Sequence, residues 1–259
     1  MMRRLTIMLA LFTITCGARE AAAERLVVSL SNHRVAVTSS FVGEELVLFG
    51  TIEPEPATSP LRPPYDLVVT VTGPRQTLRT RRKQRMLGIW VNADSREFVR
   101  APSYLAVLSN RPVNNIANQD TLRRLQIGLD NFLLPQQIGL DVADTTRDDP
   151  FRRAFVRLQT QQGLYRESGT AVTFLTPTVF RAAIPMPAAV PTGTYGINVE
   201  LFAGGASVVR TNSALEVIKT GFEQYVADAA RDYGLLYGMA TALMALLIGW
   251  FASVVFARD

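Results

Sequence analysis

Histidine and cysteine are nearly missing from this 259-residue chain: His33 and Cys16 are the only ones. With no second histidine and no further thiol, the common zinc and copper ligand sets and a Ser-His-Asp arrangement have little to draw on. No disulfide can staple the fold, so size must replace stapling. His33 lies among polar residues at a strand start and reads as a surface or hydrogen-bonded histidine. Lysine is scarce too. Only Lys83 and Lys219 interrupt a background of arginine, a skew that often follows from a GC-rich genome and tempers the reading of any single arginine. No phosphate-cradling loop or dinucleotide fingerprint is present. Asp141, Asp144, Asp148 and Asp149 are close in sequence but lack the glycine and twelfth-position glutamate of a calcium loop; helix capping accounts for the last two. These absences point away from catalysis, from a bound metal and from any cofactor, and leave a carboxylate-only hydrolase as the enzyme reading.

What the chain does have is concentrated at its ends. Residues 1–4 include Arg3 and Arg4, residues 5–15 are uncharged, and residues 21–23 are alanines, the three parts of a secretory signal peptide. Eleven apolar residues make roughly 16 Å of helix, too short for a hydrocarbon core of about 30 Å. Cleavage is expected at Ala23, with Ala18 as the other site. Arg3-Arg4 fits a twin-arginine signal poorly, and the bulky Ile14 and Thr15 argue against lipidation of Cys16. At the other end, residues 234–256 carry no charge and would span roughly 35 Å as a helix. Tyr233, Tyr237, Trp250 and Phe251 sit towards its two ends, as interfacial aromatics do.

The expected organisation is a signal peptide (1–23), an exported β-rich domain (24–220), an amphipathic juxtamembrane helix (221–233), a transmembrane helix (234–256) and a cytoplasmic tail (257–259). Removal of the leader takes away Arg3, Arg4, Arg19 and Glu20, lowering the formal charge from +5 to +3. That balance is too mild for a nucleic-acid binder. Within the membrane segment, Gly234, Gly238, Ala242, Ala245, Gly249 and Ser253 form one slowly drifting stripe of small residues, which lets another helix approach closely. An anchor rich in alanine and glycine with no partner is the plain alternative. Ahead of it, Phe222, Tyr225, Val226, Ala229 and Tyr233 make an amphipathic lead-in.

The body predicts a β-sandwich-like domain with a small helical insert. Strands are expected at 26–30, 46–49, 66–72, 171–175, 178–184, 193–202, 207–209 and 214–218, with Gly204-Gly205 as a hairpin turn and a proline-rich loop from 53 to 64. One helix is expected after Asp149-Pro150, with Phe151, Ala154, Phe155 and Leu158 inward, Arg152, Arg153 and Arg157 outward, and Gly163 at its close. A weaker one is expected from 120 to 132, with Leu122, Leu125 and Leu129 on one side. The stretch "RTRRKQRMLGIW" reads as a strand: period two then puts Arg79, Arg81, Lys83 and Arg85 on one face. That face is either a solvated, charge-protected edge or a cationic patch for anionic lipid or an acidic partner.

The segments "FVGEELVLFG", "YDLVVTVTGP", "RRKQRMLGIWVNADSREFVRAPSYLAVLSNRP" and "PTGTYGINVELF", followed by "GLLYGMATALMALLIGWFASVVF", resemble the alphaproteobacterial putative transmembrane protein family. The resemblance implies a bacterial inner-membrane protein with a periplasmic domain and a cytoplasmic carboxyl terminus. It supplies no catalytic residues. Members encoded beside sulfite-exporter-like permeases imply an accessory role to an integral membrane protein such as an anion permease. The alternative is a periplasmic module for a small anion, with Arg111, Arg123, Arg152 or Arg181 as donors.

Overall fold

Period-two burial marks one layer of the molecule, and burial on both faces marks the other. In the computed structural model, which describes residues 24–53, 64–86, 88–138, 141–144, 148–221, 226 and 229–256, the strands and helices alternate as follows. The first half holds β1 (Arg25–Leu30), β2 (Arg34–Val37), β3 (Gly43–Glu53), β4 (Tyr65–Thr72), β5 (Arg75–Met86), β6 (Ile89–Pro102) and β7 (Leu105–Ser109). Then come α1 (Val113–Ile116), α2 (Gln119–Leu125), β8 (Pro135–Ile138), β9 (Asp141–Asp144) and α3 (Pro150–Gln161). The last part holds β10 (Tyr165–Ser168), β11 (Val172–Phe174), β12 (Val179–Pro187), β13 (Gly193–Ala203), β14 (Ala206–Lys219) and α4 (Gly234–Phe256). The expected leader, residues 54–63 of the proline-rich loop, residues 222–225 and 227–228 of the juxtamembrane helix, and the tail lie outside the described residues.

Two sheets form the sandwich, in orders β1-β3-β12-β11 and β10-β7-β4-β13-β14-β2. In β12, Phe180, Ala182, Ile184 and Met186 are buried while the residues between them are not, the signature of a sheet with one wet face. They meet Leu46 and Leu48 of β3 and Val69, Val71, Ile197 and Val199 of the facing sheet in one core. Each valine, leucine, isoleucine, phenylalanine or methionine among them, taken fully from water, contributes about 1.5–3 kcal/mol. The six-stranded sheet is covered on its other side as well: Val68, Val107 and Phe202 pack against Val113, Ile116, Leu122 and Ile127 from α1, α2 and the turn that follows. That double cover explains why β4 reads as an unbroken apolar run, LVVTV, rather than an alternating one.

A third sheet, β5-β6-β8-β9, was not foreseen, and it continues the second. Strand β4 passes through Gly73-Pro74 into β5, and β6 passes through Ser103-Tyr104 into β7. The junction keeps antiparallel pairing, with Gly73 N donating to Tyr104 O (2.8 Å) and Ser103 N to Pro74 O (2.9 Å). The result is one long ribbon whose base lies in the sandwich. A Cβ on Gly73 would sit 2.9 Å from Ser103 Oγ and from Tyr195 Cε1, so the close crossing requires glycine. Tyr104, Tyr165 and Tyr195 pin this region by donating to the carbonyls of Pro185, Pro102 and Pro191. Burial pushes all three phenols well above their ordinary range.

Several expectations need correction. Strand β14 is one 14-residue strand, because Arg210 to Ser213, polar enough to suggest a break, stay in register with β13. The helix expected over 120–132 stops at Leu125, where Gln126 takes a left-handed conformation (φ 56°). Helix α3 has the expected start: Asp149 Oδ2 accepts from Arg152 N (2.7 Å), Pro150 opens it, and Gly163 follows at φ 73°. Its inward face, however, is Phe151, Arg152, Phe155 and Gln159, and Leu158 is largely exposed.

Candidate functional site

Arg152 is 4% exposed because partners meet it on the side expected to face water. Its guanidinium donates to Asp144 Oδ1 (3.0 Å) and to the carbonyl of Phe132 (2.5 Å), and Asp144 also accepts from Leu134 N (3.0 Å). Asp149 caps α3 and accepts from Gln136 Nε2 (2.8 Å). Of the four acids, Asp144 and Asp149 are thus tied to structural partners, while Asp141 and Asp148 are exposed. His33 is exposed as well, and its carbonyl accepts from Glu216 N (2.8 Å).

A cleft of about 800 Å³ opens where α1 and α2 cross the six-stranded sheet, lined by Asp66, Arg111, Asn114, Arg124 and Ser207 among others. Beside it, a smaller polar recess of about 230 Å³ brings Arg75, Arg124, Glu200 and Arg210 together. Both buried carboxylates here are satisfied from within. Asp66 takes the Arg111 guanidinium and Asn110 Nδ2, and Glu200 takes Arg210 Nε (2.6 Å) and Ser207 Oγ (2.5 Å). The four arginines weighed as anion donors are not brought together. Arg111 is spent on Asp66, Arg152 is on the buried face of α3, Arg123 is exposed on α2, and Arg181 is exposed on β12.

The cationic stretch forms the outer part of the ribbon. Near the sandwich, α3 covers one side of it: Phe98 stacks on Phe155 at 4.2 Å, and Arg96 lies over the Phe151 ring at 5.3 Å. Beyond Thr80 that cover thins: Arg81, Arg82 and Lys83 still share an open groove of about 350 Å³ with Phe151, Ala154 and Leu158 of α3, and no described residue between 81 and 95 is buried. Cross-strand register places Arg79 opposite Glu97, Arg81 opposite Ser95, Lys83 opposite Asn92 and Arg85 opposite Trp90. Arg79 is held by Glu97 through Nε (2.8 Å), which removes it from the free charge. Arg82, on the other side, is exposed too. Arg82 lies opposite Asp94 in the register, but among the described residues none of Arg81, Arg82, Lys83 and Arg85 forms an ion pair. The signal missed in the sequence is that the apolar residues beside the charges also lack cover: Met86, Ile89 and Trp90 are 55%, 65% and 68% exposed.

Helix α4 contains the second exposed apolar surface. Its span Gly234–Ser253 has a mean hydropathy of 1.9 and buries none of its length against the β domain. Around Gly234, Gly238 and Gly249 the space is open. Residues 229–232 are helical, and a bend at Tyr233 separates them from α4, with Tyr233 N donating to Ala229 O (3.0 Å) and Tyr237 N to Tyr233 O (2.9 Å).

A β-sandwich domain joined to one uncovered apolar helix defines a membrane-anchored protein. The chain belongs to the family described as Putative transmembrane protein (Alph_Pro_TM), whose match runs over residues 25–258. No curated protein matches the chain. Among solved structures, the N-terminal domain of the Streptococcus gordonii adhesin Sgo0707 aligns over 75% of this chain and 32% of that one, at 9% identity and a TM-score of 0.27. The chain therefore spans about a third of that structure's length, and so distant a likeness carries no functional argument.

Proposed function

We propose that the protein is a non-enzymatic accessory subunit of the bacterial inner membrane. In this reading the amino-terminal leader is removed, the β domain stands in the periplasm, and the carboxyl terminus is cytoplasmic. Helix α4 assembles with an integral membrane protein, for which the family resemblance points to an anion permease of the sulfite-exporter-like kind. The observation that carries the reading is the uncovered helix with small residues at Gly234, Gly238, Ala242, Ala245, Gly249 and Ser253. A tether needs only hydrophobic length, whereas small residues on one side allow backbones to approach and pack.

The test is affinity purification of the full chain in mild detergent with mass spectrometry of co-purifying membrane proteins. Enlarging Gly238 and Gly249 to leucine keeps the segment apolar enough to insert and is expected to abolish co-purification. Leu243→Ile with Leu247→Ile, off the stripe, is the control and should change little. Retention of the same partner by the double leucine variant would remove the helix from the interface.

A further inference from the structure

The ribbon and the anchor leave the sandwich through the same end. Thr72, Gly196 and Ala214 are register partners across β4, β13 and β14. Both β4 and β14 run antiparallel to β13, so they share one direction. Past this level β4 continues into β5, while β14 continues to Lys219 and on towards α4. Two bulges shape the ribbon as it departs, one between Gln76 and Leu78 with Arg100 at φ 54°, the other between Arg82 and Lys83. Bulges of this kind bend and twist a strand pair and re-aim its side chains. From Arg81 to Met86 the ribbon projects about 17 Å at about 3.4 Å per residue.

The composition of this projection is ordered along its length. Arg81, Arg82, Lys83 and Arg85 form a collar, with Asp94 the single acid among residues 81–95. Met86, Ile89 and Trp90 form the exposed apolar end. A ribbon that stayed in water would gain nothing from three large exposed apolar side chains. At a bilayer surface both parts find partners: guanidinium and ammonium groups meet lipid phosphates, and an indole sits at the headgroup level. We propose that the tip of the β5–β6 ribbon is a membrane-surface contact. Met86, Ile89 and Trp90 enter the interfacial layer of the bilayer that α4 spans, and Arg81, Arg82, Lys83 and Arg85 bind anionic lipid phosphates. The contact requires the anchor but no protein partner, so it stands independently of the accessory role.

The test uses the full chain with Trp250→Phe, which leaves Trp90 as the sole indole. The protein is reconstituted in vesicles of phosphatidylcholine with phosphatidylglycerol, some acyl chains being brominated close to the headgroup. Trp90 emission is expected to shift to the blue relative to detergent and to be quenched by the bromines. Replacing Arg81, Arg82, Lys83 and Arg85 with serine should lower that quenching several-fold, since each basic residue near an anionic surface is worth roughly fivefold in affinity. About 1 M salt should do the same, because the screening length falls to about 3 Å. Ile89→Asp, which keeps the indole, should also release it from lipid. An unshifted emission, untouched by bromolipid and fully open to acrylamide, would overturn the proposal. Protection of Trp90 in native membranes but not in pure lipid would overturn it in favour of a protein contact. Quenching that survives loss of the four cations and removal of phosphatidylglycerol would remove the anionic lipid from it.

Discussion

Residues 65–72 and 81–86 belong to one continuous ribbon with the same backbone pairing, yet the first group is buried on both faces and the second on neither. At the base, Leu67, Val69 and Val71 are covered by the opposing sheet and Val68 by the α1–α2 layer. Towards the tip, RRKQRM has its partner strand and, at Arg81 to Lys83 alone, an open groove shared with α3; such cross-strand pairs contribute about 0.2–1 kcal/mol each. A two-stranded ribbon is marginal in water when isolated. The tip is therefore held out by its base, and the two regions should answer very differently to the same kind of perturbation.

Alkali should produce the largest difference. The phenols of Tyr104, Tyr165 and Tyr195 cluster around the base and are raised by burial. Below pH about 10 these groups are protonated in both folded and unfolded chains, and their contribution is complete. Above it the unfolded phenols ionise while the buried ones resist, so stability falls by about 1.4 kcal/mol per pH unit for each phenol. Thermal melts across this range should show a steep loss beginning near pH 10, and Tyr165→Phe, which removes one of the phenols, should make it shallower.

Phe98→Ala should follow. It empties the stack on Phe155, whose ring in turn meets Tyr165 edge-on, in the cluster that clamps the ribbon, and a loss of about 3–5 kcal/mol in denaturant unfolding is expected. Asp149→Ala removes the α3 cap and a partner of Gln136, at a cost of about 1 kcal/mol. At the tip, Trp90→Ser or Arg82→Ser should stay within about 0.5 kcal/mol, as expected of surface substitutions. A tip substitution as costly as Phe98→Ala would mean that the outer ribbon is covered by part of the domain, and the contrast would collapse.

The same contrast explains what could be read from the residues beforehand. Strands of the sandwich declare themselves because one face or both are apolar, and Asp149-Pro150 with Gly163 bounds α3 by local chemistry that needs no tertiary knowledge. Arg152 was misplaced because periodicity describes an element and not its neighbours; β9, carrying Asp144, and the carbonyls of Asp130 and Phe132 make an inward guanidinium tolerable. Strands β8 and β9 are four residues each, too short to display a period, so the third sheet stayed hidden. That residues 79–85 form a strand was legible. Their setting was not, since exposure of Met86, Ile89 and Trp90 follows from where α3 stops covering the ribbon.

The central claim is that the β domain, base and tip alike, stands outside the cytoplasm on the membrane that α4 spans. The direct measurement is labelling of Ser39→Cys, in a loop exposed between β2 and β3, with a membrane-impermeant maleimide in intact spheroplasts, using a Cys16→Ser background. Reaction without lysis is the expected result. Reaction only after the membrane is broken would place the domain in the cytoplasm and contradict the account.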